Sequence, residues 1–456
     1  MVKTAVLNLS AALLLTLSSA LQAADTGSAR EPVLGLDAMQ IQDTRPKDSP
    51  GNNGETAPVA DEIEQDIKKY QEAILETERT SGAYGAKLWE QLVGLATAQQ
   101  NAGRYQAAVA SLNQALHINR VNHGLHNIEQ EPIINLLIKN NTALKDWKAL
   151  EQNYQYLYWL YRRVYGENDM RLLPVINRIG LWHLKAYTTG KTANPFADLM
   201  TAQSMYNDAV HIIEINRGKN DPEMISPLNG IMLTNYLMAI HASGNNEGLR
   251  SSFSISNQPF SRCDDFSFYR RNPLFDDCSG SMGMNNDERD RQQIIILSYQ
   301  AGKRALTRSI DIYENNPALP AVEHALAYIR LGDWYMLFNR PSAANSEYTK
   351  AYAQLKNTDD MTREKLFGTP KQLPEVQYNP VADNKPKADA RYVLVSMDVS
   401  KNGRVRNIQV VESRPPDDKN LINLATKSLR QTRFRPRIEN GEPVATSGYK
   451  KMFVFE

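Results

Sequence analysis

The sequence lacks a net charge of one sign, which limits the partners that the chain as a whole can attract. It carries 52 Lys and Arg against 51 Asp and Glu, a formal charge of +1 at neutral pH. Proteins that bind nucleic acid or acidic membranes through overall charge need an excess of cations, so we predict no nucleic-acid partner. The balance is uneven, since residues 389–456 hold 13 Lys and Arg against 8 Asp and Glu. A solvated basic surface is the simpler explanation of that local excess.

Long hydrophobic runs are missing after the first 24 residues. Within residues 1–24, Lys3 precedes a short apolar stretch from Ala5 to Leu17, and small residues up to Ala24 offer a cleavage site, as in a secretory signal. Polar residues interrupt this stretch, whereas a membrane-spanning helix needs about 20 mainly apolar residues. We therefore predict export to the periplasm, cleavage of the signal and no stable membrane insertion. The alternative is an uncleaved inner-membrane anchor formed by the same residues.

Cysteine is also scarce, because the chain has only Cys263 and Cys278. They are separated by 14 residues of a polar, turn-rich stretch, without the CxxC spacing of a redox motif. Disulfides persist in exported proteins, so we predict a structural bond between them. A ring of this size contributes about 3 kcal/mol in the loop-entropy description. Free thiols or a redox pair are the alternatives.

Motifs of catalysis and cofactor binding are missing as well. His123 and His126 lack the HExxH spacing of a zinc site. Ser281 lacks the Gly two residues before it that a nucleophile elbow needs, because Ser279 stands there. The sequence has no phosphate loop and no dinucleotide fingerprint. We predict no catalytic residue, no metal site, no cofactor and no enzymatic activity.

After residue 24, changes in composition and in hydrophobic pattern divide the sequence into four segments. Residues 25–60 are rich in Gly, Pro, Asn, Asp and Thr, which predicts a disordered leader. Residues 61–356 show long helical patterns separated by short turns. Residues 357–388 contain many prolines and charges, which favours an extended linker that isolates the last domain. Residues 389–456 form that C-terminal domain.

Two stretches of the helical region share one pattern. In residues 92–118, Ala96 and Ala108 stand on two helical patterns joined by a turn at Gly103, and residues 331–352 repeat the arrangement. The pattern resembles the tetratricopeptide repeat, in which small residues let two helices approach closely. We predict a mainly α fold, a tetratricopeptide-like helical solenoid of about five helix pairs. Residues 244–288, with both cysteines, would be an insertion in it.

The C-terminal domain has the pattern of a hairpin, a helix and further strands. Residues 392–399 and 405–412 alternate between apolar and polar around an Asn402-Gly403 turn, a strong hairpin signal. The stretch RFRPRI predicts a strand, and residues 448–455 predict the terminal one. This is a small α+β domain. An amphipathic helix lies between, and its predicted apolar face consists of Leu421, Leu424, Ala425, Ser428 and Leu429.

The motifs of this domain resemble those of the C-terminal domain of the TonB energy transducers. The upstream stretch PEVQYNP is similar to the Gln-Tyr-Pro segment of the family. In that family an extended receptor peptide is added as a strand to an exposed sheet edge. The matching residues are Asp398 at the end of the first strand, Gly403 and Val405 at the turn, Arg433-Phe434-Arg435-Pro436, and Asn440-Gly441-Glu442-Pro443-Val444.

The resemblance implies a peptide-binding site along the terminal strand. Three arginines with period-two spacing are candidate contacts for an acidic partner, and solvation is the alternative: Arg433, Arg435 and Arg437. The residues that we assign to peptide binding are Gln377, Tyr378, Tyr449, Lys451, Phe453 and Phe455.

The whole sequence predicts a periplasmic, non-enzymatic adaptor. The solenoid would bind one envelope protein, and the C-terminal domain would bind an extended segment of another, with TonB-dependent outer-membrane receptors among the candidates. Energy transducers have an inner-membrane helix, and a cleaved signal would leave this chain without one. The first alternative is a TonB-type transducer anchored by residues 1–24. The second is an envelope scaffold whose terminal domain contacts the cell wall.

Overall fold

The structure, a computed structural model, describes residues 57–190, 192, 194–244, 286–373 and 391–455. The predicted signal lies outside these residues, and so does nearly all of the predicted insertion. Cys263, Cys278, Gln377 and Tyr378 lie outside them as well, so the disulfide and these two contacts stay predictions.

The described residues contain thirteen α-helices. In chain order they are α1 (Ala57–Ser81), α2 (Leu88–Asn101), α3 (Tyr105–His123), α4 (Gln130–Leu144), α5 (Trp147–Tyr165), α6 (Leu173–Thr189), α7 (Pro195–Arg217), α8 (Ile225–Ser243), α9 (Asn286–Glu314), α10 (Ala321–Leu337), α11 (Pro341–Gln354), α12 (Asp360–Phe367) and α13 (Lys419–Gln431). Among the helices that the structure describes, none combines the length and the apolar character needed to cross a bilayer.

The strands all lie near the C-terminal end of the described chain. They are β1 (Lys371–Leu373), β2 (Arg391–Val399), β3 (Val405–Arg414), β4 (Arg433–Arg435), β5 (Arg437–Glu439), β6 (Glu442–Val444) and β7 (Thr446–Phe455). β2 is the centre of a three-stranded antiparallel sheet, with β3 on one side and β7 on the other. β1 pairs with β4, and β5 pairs with β6. The predicted fold, a mainly α body followed by a small α+β domain, is confirmed.

The helical body is built from consecutive helix pairs, α2 with α3 through α10 with α11. Short connections make neighbouring helices antiparallel. Small residues stand where paired helices meet: Ala96 and Ala108 are 1% and 0% exposed. Gly332 of α10 lies so close to the ring of Tyr348 in α11 that a Cβ atom there would come within 2.4 Å of it. α8 and α9, which lie on the two sides of the predicted insertion, pack against each other.

Three loops between successive helix pairs have the same local structure. After α3, α5 and α7, a Gly with φ of 84°, 96° and 91° ends the helix. Three residues later an Asn or Asp side chain accepts the N–H two positions on, at 3.0, 2.9 and 2.8 Å. These turns are an internal repeat of the body that the sequence reasoning missed. The residues are Gly124 and Asn127, Gly166 and Asp169, and Gly218 and Asp221.

The prediction of an extended linker at residues 357–388 is wrong for its first part, up to residue 373. Residues 360–367 form α12, whose N-terminus is capped by Asp359, a side chain that accepts the N–H of Thr362 at 2.8 Å. Phe367 at its end is 1% exposed, and β1 follows at once and pairs with β4. The four prolines that suggested an extended spacer all stand at position 370 or later, so they do not oppose the Asp cap and the apolar end of α12. The C-terminal domain is therefore attached to the body by structure and is not isolated from it.

Candidate peptide-binding site

The C-terminal domain has its own core between β2 and α13. Alternate residues of β2, such as Val393, Val395 and Met397, face inward and are 0–1% exposed. They meet an apolar stripe on α13 formed by Leu421, Ala425 and Leu429, at spacing i, i+4 and i+8. This stripe is narrower than predicted. The assignment of Leu424 to it is wrong, because that side chain is 53% exposed.

The terminal strand β7 lies at the edge of its sheet. It pairs with β2 on one side, from Phe455 opposite Arg391 to Tyr449 opposite Met397 without a break. On its other side, no strand within the described ranges is hydrogen-bonded to it. Among the described strands, the open main-chain edge implied by the family resemblance therefore lies along β7, where we expected it.

The side chains of β7 alternate between two faces. The predicted contacts Tyr449, Phe453 and Phe455 pack against the core of the domain. The other face carries Met452 and Val454, which are 41% and 46% exposed. Neither residue was among the predicted peptide contacts, although the run MFVF, apolar at every position, indicates that both faces of the strand are apolar.

Lys451 also lies on the inner face of β7, where it is a charged residue among the aromatic side chains. Its Nζ lies 5.9 Å from the ring centroid of Phe434 and 5.7 Å from that of Phe453. It donates a hydrogen bond to the side-chain oxygen of Gln372 in β1. Burial lowers the pKa of Lys451 to about 8. The residue thus ties β1 to the edge strand, and its charge on the inner face resembles the devices that protect sheet edges from unspecific pairing.

Asp398, the residue at the end of the family's first strand, connects β2 to both of its neighbours. Its Oδ1 accepts the N–H of Gly448 in β7 at 2.9 Å, and its Oδ2 accepts from Nδ2 of Asn407 in β3 at 2.6 Å. Gly448 and Asn407 both have positive φ, 66° and 51°, where the pairing with β2 is irregular. These hydrogen bonds lower the pKa of the Asp398 carboxyl. One carboxylate thereby stabilises the irregular stretches of both outer strands, β3 and β7.

Replacing Asp398 with Ala is expected to lower the thermal unfolding midpoint and to speed amide hydrogen exchange at Gly448. The pKa of Asp398 is lower in the folded protein than in the unfolded chain. The contribution of Asp398 to protein stability is therefore complete above the pKa of a free Asp, about 4, and is lost as the pH falls through the pKa in the folded protein. Calorimetry between pH 7 and pH 2 should show the two midpoints converge in acid. Glu442→Ala, at an exposed carboxylate, is the control. A midpoint difference that stays constant to pH 2 would contradict this role.

The three candidate arginines do not form one surface. Arg435 is 2% exposed, and its Nε and Nη2 donate to the two carboxylate oxygens of Asp333 in α10, at 2.9 and 2.7 Å. The assignment of Arg435 to an external acidic partner is therefore wrong, because that partner is inside the chain. Arg437 pairs with Glu439 at 2.6 Å, and Arg433 is half-buried at the start of β4.

Two turns of the C-terminal domain also contact the last helix pair. Gly403, in the hairpin turn, is buried beside Met336 of α10 and accepts the N–H of Phe434 through its own carbonyl at 3.0 Å. Gly441, in the turn before β6, accepts the Thr349 hydroxyl at 2.7 Å through its carbonyl. Part of the family motif therefore serves attachment to the helical body.

Stacked helix pairs followed by an α+β domain with an edge strand at its end define a helical-repeat protein with a terminal strand-edge domain. Residues 390–456 match the family described as Gram-negative bacterial TonB protein C-terminal. This match confirms the resemblance of that domain and supports a TonB-like role in protein interaction. The helix pairs are consistent with tetratricopeptide-like repeats.

No curated protein matches the chain. Among solved structures, the crystal structure of BtubC (BKLC) from P. vanneervenii is 12% identical to it. The alignment covers 64% of this chain and 90% of that chain, with a TM-score of 0.31. A score this low does not establish a shared fold.

Proposed function

We propose that this protein is a periplasmic, non-enzymatic adaptor whose C-terminal domain binds an extended segment of an envelope protein by strand addition. The helical body binds a second protein. The observation that carries the proposal is the regular open edge of β7 in a domain that matches the TonB C-terminal family. Unpaired N–H and C=O groups along such an edge supply the affinity, and alternate side chains supply the selectivity.

The edge of β7 suits a peptide better than the opposite edge of the sheet. β3 has two irregularities in its pairing with β2, which twist that edge. β7 is regular from Tyr449 to Phe455, which at 3.3 Å per residue is about 20 Å. A peptide of about six or seven residues can pair along this length. Met452 and Val454 would meet every second side chain of such a peptide.

Attachment of the domain to the helical body favours an adaptor over a tethered transducer. The buried pair between Arg435 and Asp333 and the two turn contacts hold the domain against α10 and α11. A peptide bound at β7 is then held in a fixed direction relative to any protein on the body. The transducer alternative depends on an anchor in residues 1–24, and the scaffold alternative on contact with the cell wall.

Nuclear magnetic resonance with peptides tests the strand addition. The full chain, isotopically labelled, is titrated with receptor peptides that contain a TonB box. We expect shifts and slowed exchange at the amides of residues 449–455. Matched peptides carry N-methyl groups on odd or on even residues. Because successive N–H groups of a strand point in opposite directions, one methylated series should lose binding and the other should keep it.

Two results would contradict the proposal. Equal binding of both methylated series would exclude main-chain pairing, and shifts confined to β3 would place the site elsewhere. N-terminal sequencing of the protein from membrane and periplasmic fractions decides about the transducer. A membrane-bound chain that keeps Met1 would favour that alternative, and a periplasmic chain that starts near Ala24 would exclude it.

A further inference from the structure

One face of α9 is polar from Gln300 to Asp311. The opposite face enters the core of the body through residues such as Leu306 and Ile310, which are 1% and 7% exposed. A helix at the surface of a repeat body commonly shows mixed charges on its outer face, but here the central part of that face is basic. The polar residues, which recur at helical spacing, are Gln300, Lys303, Arg304, Thr307, Arg308 and Asp311.

This face forms one wall of an open cavity of about 950 Å³. Lys219, in the loop after α7, and Arg340, at the start of α11, stand on the other walls. The cations of the cavity therefore come from three successive helix pairs. The Arg340 guanidinium lies 5.2 Å from the ring centroid of Tyr299, which also lines the cavity.

The charges of the lining do not balance. Five of the described lining residues are Lys or Arg, and two are carboxylates, Glu214 and Asp311. Glu214 is already paired, since one of its oxygens lies 2.9 Å from Nη2 of Arg308. Arg308 therefore has its counter-charge within the protein, whereas Lys303 and Arg304, on the same wall, are exposed. The remaining cations of the lining exceed the one remaining carboxylate, Asp311.

We propose that this cavity binds an acidic, extended segment of a partner protein. The face from Gln300 to Asp311 is about 16 Å long at 1.5 Å per residue, which matches about five residues of extended chain. A single small anion would require donors that converge on one point. Here the cations of α9 extend from Lys303 to Arg308, and Lys219 and Arg340 line the cavity from other segments. The inference rests on the proposed partner of the helical body and is independent of strand addition at β7.

Fluorescence anisotropy with the full chain tests the site. The probe is a labelled eight-residue peptide that alternates Glu and Ser, and its control alternates Gln and Ser. We expect saturable binding of the Glu peptide alone, weakened by salt. Lys303→Glu with Arg304→Glu should weaken binding by about tenfold or more. Lys139→Glu with Lys185→Glu, exposed residues on α4 and α6, makes the same change in net charge and should weaken binding by less than about twofold.

Equal weakening by the two double variants would overturn the proposal, because only overall charge would then matter. Absence of saturable binding to the unaltered chain would overturn it too. Binding of phosphatidylglycerol vesicles through Lys303 and Arg304, without peptide binding, would assign the cavity to lipid. The receptor-peptide titration at β7 is repeated with the Lys303→Glu, Arg304→Glu variant to separate the two sites. We expect this variant to lose binding of the Glu peptide in the cavity and to show unchanged shifts in β7.

Discussion

Replacing Arg435 with Met is expected to lower the free energy of unfolding by about 3–5 kcal/mol, the cost of leaving a buried carboxylate without its partner. The guanidinium is 2% exposed and holds both oxygens of Asp333. Tyr348 donates its hydroxyl to the same carboxylate at 2.9 Å, and burial holds the pKa of Tyr348 well above its usual value. The hydroxyl therefore remains a donor but cannot replace the lost charge. Denaturant unfolding measures the change.

Three further variants separate the ion pair from simple loss of packing. Arg437→Met removes a partly exposed pair with Glu439 and should change the free energy of unfolding by about 1 kcal/mol or less. Tyr348→Phe should cost about 1.5–3 kcal/mol, one hydrogen bond to a charged group. The double variant Arg435→Met with Asp333→Leu should be more stable than the sum of its single changes. A loss for Arg435→Met no larger than that for Arg437→Met would refute the importance of the pair.

Replacing Gly403 with Ala is expected to lower the free energy of unfolding by about 2–4 kcal/mol. Gly403 has φ of 69°, a conformation that side chains with Cβ rarely adopt. A Cβ atom there would also lie 2.1 Å from the carbonyl oxygen of Phe434, which is backbone and cannot move aside without shifting β4. The hairpin turn, β4 and the contact with Met336 should all be disturbed. Thermal and denaturant unfolding measure the loss.

Gly441→Ala is the matched control for this variant. Gly441 also has positive φ, 84°, but a Cβ atom there would meet its nearest neighbour, the ring of Tyr352, at an ordinary 3.6 Å. The control should cost only about 1 kcal/mol, the conformational part of the effect. Equal losses at the two positions would show that the close contact with Phe434 contributes nothing.

Arg435 and Gly403 both belong to the motif that resembles the TonB family, and neighbouring residues of that motif have different structural roles in this chain. In the element Arg433-Phe434-Arg435-Pro436, Phe434 belongs to the core of the C-terminal domain. Its neighbour Arg435 reaches into the helical body instead. The motif therefore fixes both the internal structure of the domain and its position, which is why we expect Arg435→Met to change the orientation of a bound peptide as well as stability.

The candidate site was predictable in its main parts. The alternation of residues 392–399 and 405–412 gave the hairpin, and the open edge followed from the resemblance and was found at β7. Met452 and Val454 were not among the predicted contacts, which lay on the other face of the strand, with Tyr449, Phe453 and Phe455. The basic cavity was missed because its cations come from three segments, Lys219, residues 303–308 and Arg340, that are distant along the chain.

The sequence by itself determined the local elements of this protein. Helical and strand periodicities, the Asp caps and the glycine turns act through contacts within a few residues, and those contacts can be read from the order of the residues. Only the tertiary structure decided how the domains join. The partner of Arg435 stands 102 residues away in α10. β1, which lies within the predicted linker, pairs with β4 of the C-terminal domain. Burial makes the loss of either partner of this ion pair costly, but nothing in the local sequence around either residue identifies the other.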